Sequence, residues 1–414
     1  MGYALHRRLP WLGAVFKDLQ TGMWACLVAC ALGASLGGGA VLKGECFGSH
    51  QENWRSRLCY NDILPLYDDP GHGIKDGIFP YVNAKLVGTQ GEDGFNEYPV
   101  LTGTFMWAVG RVSRSGSSYL ALTNALLGAL AVLSTLLLWR LARHRAIYFA
   151  APPILLFYAF HNWDVLAVTA SVVGLFKWRR GRPATAAMAF AIGGALKLYP
   201  ALFIVPLMLD AYKRRGSRHA AEIGGVGFGS LALINLPFVL INSQGWWATY
   251  RFHEERAATT SGTVWSVLDS SLSTPTENRL SAACVVVGLL VVTMALLRLS
   301  RGAGGYPLIQ WCGAATAIFV SLNKVSSPQY ILWVLPFLAL IVASPAWWGA
   351  LAVVVTIRYV GLFGVDVFPL GFHTADNLVH VAVVAQAALL LAYAARVSTS
   401  RLIAARTWVD RPGS

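Results

Sequence analysis

The chain has 414 residues, 56% of them hydrophobic and only 13% charged. A soluble domain of this size carries nearer a quarter charged residues, so a water-soluble globule is excluded. The formal net charge of +13 is confined to short links between apolar runs, which makes it a signal of membrane orientation and gives nucleic-acid binding no support.

Repeated apolar runs of roughly 15 to 22 residues predict an all-α polytopic membrane protein, a single integral membrane domain over residues 1–414. In chain order the expected spans are 20–41, 119–139, 146–160, 163–178, 184–197, 200–211, 220–241, 280–297, 306–322, 328–343, 345–362 and 378–396. Both termini then lie inside, with a basic cytoplasmic tail over about 397–414. Arg7, Arg8 and Lys17 before the first run resemble a secretory signal, but that run is long enough to span and others follow, so an uncleaved helix is expected. The basic clusters Arg140/Arg143/Arg145, Lys177/Arg179/Arg180/Arg182, Lys213/Arg214/Arg215/Arg218 and Arg298/Arg301 all face the cytoplasm in this arrangement. Residues 98–113 are apolar enough to span, but a span there would turn the Arg140 cluster outward. A helix lying in the outer interface is expected instead. The spans 146–160 with 163–178, and 184–197 with 200–211, are short and read as helical hairpins.

The longest hydrophilic run is the first outer loop, 42–118. Cys46 and Cys59 share it, where oxidation can join them or leave them free. The loop also carries Asp62 and Glu97. Asp62 precedes Ile63, Leu64 and Leu66, a short helix that would hold a carboxylate near the lipid surface; a capping or solvated Asp is the plainer alternative. Glu97 precedes Tyr98-Pro99 and an apolar helix, where an acid also favours the helix dipole. His161-Asn162-Trp163-Asp164 forms a turn between two spans, and its polar groups can simply cap it. Lys197, in Gly193-Gly194-Ala195-Leu196-Lys197-Leu198-Tyr199-Pro200, lies between two short helices, either as a snorkelling anchor or as an anion ligand. Arg251, His253 and Arg256 follow Trp246-Trp247 on an amphipathic segment. Lys324 lies in Asn323-Lys324-Val325-Ser326-Ser327-Pro328-Gln329-Tyr330.

Under this topology these groups collect on the outer side. A carboxylate facing several cations beside lipid suits removal of a hydroxyl proton while a phosphate departs. No Walker A glycines, zinc-binding His/Glu helix or Gly-x-Ser-x-Gly elbow is present. No cofactor is called for and no metal site is evident, although Asp62 and Glu97 could share an ion if the fold brings them together.

At these residues the chain resembles the GT-C glycosyltransferases and is similar in particular to glycosyltransferase family 87. Asn61-Asp62-Ile63 through Leu66-Tyr67 stands where that class places its catalytic acid. Glu97-Tyr98-Pro99-Val100-Leu101-Thr102 resembles the Tyr-Pro-Pro-Leu-Thr element of the same loop, with Val100 in place of the second Pro. Gly193 to Pro200 and Asn323 to Tyr330 resemble Lys-x-x-Pro and Asn-Lys-x-x-Ser-Pro-Gln-Tyr elements of family 87. Many members have Gly-Gln-x-Asn where this chain has His161-Asn162-Trp163-Asp164. The resemblance implies an inverting transferase moving a sugar, mannose in the commonest case, from a polyprenyl-phosphate donor to a glycolipid or glycan acceptor at the outer face of the plasma membrane. It implies Asp62 as base, Glu97 or Asp164 as a second acid, and Lys197, Lys324, Arg251 and Arg256 on the donor phosphate. Tyr98, His161, Asn162, His253, Asn323, Gln329 and Tyr330 are further pocket candidates. The rivals are a secondary transporter and a lipid-linked polysaccharide polymerase or ligase. Transporters usually show internal repeats, and the two halves here look unrelated.

Overall fold

A computed structural model describes residues 10–47, 53–88, 90–256, 262–341, 344–368 and 372–399. The basic tail beyond 399, Arg7 and Arg8, and positions 342–343 of one expected span lie outside the described residues. The fold is all-α and polytopic. Among the described residues, six segments are long and apolar enough to cross a bilayer: Asp18–Gly44, Gly116–Ala150, Ser217–Ile241, Thr274–Leu299, Pro345–Phe363 and His373–Thr399.

The long helices are α1 (Pro10–Gly44), α5 (Gly116–Ala142), α9 (Ser217–Ile241), α11 (Thr274–Leu299), α13 (Pro345–Phe363) and α14 (Phe372–Thr399). Around them lie shorter helices: α2 (Trp54–Arg57), α3 (Ile63–Asp68), α4 (Val100–Val112), α6 (Asp164–Arg179), α7 (Pro183–Leu196), α8 (Ile204–Arg215), α10 (Ser243–Glu255) and α12 (Leu308–Leu322). α5 starts where the sequence can satisfy its first amides, with Ser115 and Ser118 in a reciprocal capping box.

Several expected spans are not continuous helices. The Pro152-Pro153 pair supplies no amide donor, and it divides 146–160 into Ile147–Ala150 and Ile154–Tyr158. Residues 200–211 begin as a 3-10 turn, Tyr199–Phe203, before α8. Residues 328–343 become a 3-10 turn, Pro328–Trp333, and a short helix, Leu335–Leu340. These broken pieces bring polar residues into the interior at one end of the bundle. α4, at 13 residues, is about 20 Å long, too short to cross a core of about 30 Å.

The long first loop is ordered by its own packing. Lys85–Val87 and Gln90–Glu92 pair antiparallel with Leu86 opposite Gly91, a ribbon that the sequence pattern does not announce. Cys46 and Cys59 are joined, their Cα atoms 5.5 Å apart. Buried side chains from α1, the loop and most helices form one extended apolar cluster.

Candidate active site

The strip Leu58 to Asp62 leaves α2 through Leu58, whose φ of 56° is costly for a branched side chain. Asp62 then precedes α3 but does not cap it. Asn61 Oδ1 accepts from the Leu64 amide at 3.0 Å instead, and the Asp62 side chain makes no capping bond. The capping alternative for Asp62 is therefore overturned. Its carboxylate is left on the wall of a cavity of about 1250 Å³.

Asp62 is held from three sides. Its amide donates to the His161 carbonyl at 2.8 Å. Its Oδ2 accepts from Asn162 Nδ2 at 2.7 Å, with Gln329 Nε2 at 3.5 Å. Asn162 Nδ2 also reaches the Tyr98 hydroxyl at 2.7 Å, so one amide bridges two parts of the first loop. The broken helix at 159–163 makes this reach practical, because it leaves His161 and Asn162 non-helical. Burial pushes the Asp62 carboxyl up to about 6, and the nearby Glu97 charge adds to this; the hydrogen bonds from Asn162 and Tyr60 and the Lys197 charge oppose it. The Asp62 charge and burial together keep the Tyr60 hydroxyl protonated. Burial and the charge of Lys43 hold His161 well below the usual imidazole range.

Lys197 enters the cavity from the end of α7. Gly193 and Gly194 let the following turn fold back closely: a Cβ at either would lie 2.7 Å from Pro200 Cβ or Ala201 Cβ. Thr102 Oγ1 donates to the Leu196 carbonyl at 2.7 Å, which ties α4 to the break. Lys197 Nζ lies 4.4 Å from the centroid of the Tyr98 ring and 3.6 Å from Asp164 Oδ1. Asp164, fully buried at the start of α6, also accepts from Trp333 Nε1 at 2.6 Å. Trp333 stacks between Tyr330 and Tyr199, at centroid distances of 4.0 and 4.3 Å.

Lys324 and Arg256 line the opposite wall. The Lys324 amide donates to Ser281 Oγ at 2.8 Å and its Nζ to the Glu254 carbonyl at 2.7 Å; burial pulls its ammonium down from the usual lysine range. Asn323 Nδ2 closes the turn onto the Val325 carbonyl at 2.8 Å. His253 Nε2 donates to the Glu97 carbonyl at 2.8 Å, and burial lowers this imidazole from its usual range.

Glu97, Tyr98, His161, Asn162, Lys197, His253, Arg256, Asn323, Lys324, Gln329 and Tyr330 thus share the cavity with Asp62. Two expected members do not. Asp164 sits behind the wall as the partner of Lys197. Arg251 faces a separate groove, where its Nε lies 2.7 Å from Glu255 Oε1; on a helix its direction differs by about 100° from that of the cavity-lining Phe252. No three His, Cys, Asp or Glu side chains gather as a metal would require among the described residues. Lys43, behind Tyr60 and His161, and Tyr60 and Trp333, on the cavity wall, were not expected. Only the cost of a lysine at the end of an apolar run could have flagged the first of them.

The model of glycosyltransferase family 87 matches residues 97–328, more than half of the chain. That of the mannosyltransferase PIG-M matches residues 258–400. The first match takes in Glu97, Asn162, Lys197, Arg256 and Lys324, and begins after Asp62. No curated protein sequence matches. Among solved structures the chain is similar to ArnT from Cupriavidus metallidurans bound to undecaprenyl phosphate, with a TM-score of 0.45 and 14% identity over 95% of this chain and 78% of that one.

Proposed function

The chain belongs to glycosyltransferase family 87, and from that premise we propose that it transfers mannose from a polyprenyl-phosphate donor to a lipid-linked or envelope glycan acceptor at the outer membrane face, with inversion and with Asp62 as base. It is a membrane glycosyltransferase. What carries the finer reading is the site of Asp62: a carboxylate on the wall of one large cavity whose other walls present Lys197, Arg256 and Lys324.

The acceptor hydroxyl attacks the anomeric carbon on the face opposite the phosphate. Its proton passes to Asp62 as the new C–O bond forms. The bond to the donor phosphate breaks with its electron pair going to the phosphate, which leaves as the polyprenyl phosphate. The cations stabilise the charge that grows there, and a phosphate needs no acid to leave. Asn162 holds Asp62 Oδ2 and orients the carboxylate toward the acceptor. Gln329 Oε1, which has no hydrogen-bond partner among the described residues, accepts a sugar hydroxyl. The Tyr330–Trp333–Tyr199 stack offers an apolar floor of the kind that packs a sugar ring.

The test is transfer by purified Asp62→Asn protein. The expected outcome is normal folding, retained binding of a polyprenyl-phosphate mannose and a loss of about 10²- to 10⁴-fold in transfer, with a milder defect for Glu97→Gln. If Asp62→Asn transfers at the wild-type rate while Glu97→Gln does not, Glu97 is the base. If both stay active, the proposed chemistry fails.

A further inference from the structure

Lys43 is the last cation a sequence reading would place in the chemistry, since it closes the first spanning helix. Its side chain is nonetheless fully buried. Its Nζ donates to the Tyr60 carbonyl at 2.5 Å and to the Tyr359 hydroxyl at 2.8 Å, and lies 3.4 Å from His161 Nδ1. Burying an amine is costly unless it is hydrogen-bonded, and these contacts satisfy Lys43 on the residues that frame Asp62.

The strip it holds carries Asp62. The carbonyls of residues 58 and 60 have no neighbouring strand to bond. The Tyr359 hydroxyl takes the first at 2.5 Å, Lys43 takes the second, and the His161 carbonyl takes the Asp62 amide at 2.8 Å. Lys43 thus touches the residue two before Asp62 and the ring of the residue that binds the Asp62 amide. The Cys46–Cys59 bond anchors the same strip to the end of α1.

We propose that Lys43 is a positioning residue for Asp62: from behind the cavity it pins the strip that carries the base, and so holds the carboxylate against Asn162. The proposal rests on Asp62 being the base. The other ionisable groups around Asp62 are Glu97 and Tyr98 from the start of α4, Lys197 from the end of α7, Tyr60 on its own strip, and His161. Lys197 works from the cavity side and Lys43 from behind, so their effects are separable.

The experiment is the pH profile of kcat/KM for transfer from polyprenyl-phosphate mannose to a synthetic lipid-linked mannoside, for wild type, Lys43→Met, Lys43→Gln and Lys43→Arg, with thermal midpoints in detergent. Freeing the strip should lower kcat/KM about ten-fold or more and, as the carboxylate loses the Asn162 hydrogen bond that favours its ionised form, move the acid limb up by about 0.5 pH unit or more. Lys43→Arg should restore the limb. A limb that stays in place in Lys43→Met or Lys43→Gln while the rate falls in proportion to folded protein would overturn the proposal. So would failure of both neutral variants to fold. A wild-type profile without an acid limb, or one unaffected by Asp62→Glu, points instead to failure of the base assignment itself.

Discussion

A base that must be ionised to work is placed where ionisation is disfavoured, and this has two consequences. The acid limb of kcat/KM should lie near the Asp62 value of about 6, with activity rising as pH rises through it. Stability runs the other way. A carboxyl whose folded value is raised contributes stability that is complete below its ordinary value near 4 and is lost as pH rises through about 6. Asp62→Asn should therefore melt at or above the wild-type temperature at pH 7.5, a difference that vanishes near pH 4; scanning fluorimetry at the two pH values checks it. A lower midpoint at pH 7.5 would make Asp62 a structural anion.

The two lysines should separate by the same argument. Lys197→Met leaves Asp164 buried without its cation, and breaking such a pair costs about 3–5 kcal/mol. Both melting temperature and transfer should fall. Lys324→Met should keep a near-native midpoint and lose about two orders of magnitude in rate if it holds the phosphate. Activity within a few-fold of wild type would leave the phosphate to Lys197 and Arg256. Asp62 was legible because a carboxylate before an apolar turn stands out. Lys43 was not, since burial and a partner at Tyr359, over three hundred positions away, appear only once the chain is folded. Arg251 was misjudged because adjacent helix positions point in different directions.

At the scale of elements, the breaks matter more than the helices. The sequence signalled where α7 and α12 end, since Gly193-Gly194 with Pro200 and Ser327-Pro328 are strong punctuation. Pro152-Pro153 marks the division of 146–160 in the same way, but a span expected from hydropathy passes over it, because hydropathy measures apolarity and is blind to whether a helix is continuous. The ribbon at 85–92 was equally hidden, as its three-residue strands carry too little alternation to register. The close turn after α7 gives a direct test. Gly194→Ala places a Cβ 2.7 Å from Ala201 Cβ, and such overpacking costs about 1–3 kcal/mol. A shift of about 1 Å in Lys197 can cost 10²-fold in rate. Gly225→Ala, with no atom within 4 Å on the outside of α9, is the control and should be neutral or slightly stabilising. If the two variants match in midpoint and rate, the turn does not position Lys197.

The whole molecule is polarised between two ends. α6, of 16 residues, carries Asp164 behind the cavity wall at its first position and Trp178 at its last but one, some 20 Å away. There Trp178 Nε1 and Arg214 Nε both reach Asp210 Oδ2 at 2.8 Å, and Lys213 Nζ reaches Ser300 Oγ at 2.8 Å. The basic ends of α6, α8 and α11 thus meet far from the site, the segregation expected if that end faces the cytoplasm. Ser117 and His144 mark the two poles, since both are exposed and stand at opposite ends of the 27-residue α5, about 40 Å long. Cysteine at each, in a background with Cys26, Cys30, Cys284 and Cys312 replaced by Ala, should label differently with an impermeant thiol reagent in intact cells. Labelling at 117 and protection at 144 is the expected outcome, and it would put Asp62 on the outer face with the lipid-borne donor. Labelling at 144 with protection at 117 would invert the protein, open the cavity to the cytosol, and make a soluble nucleotide sugar the better donor.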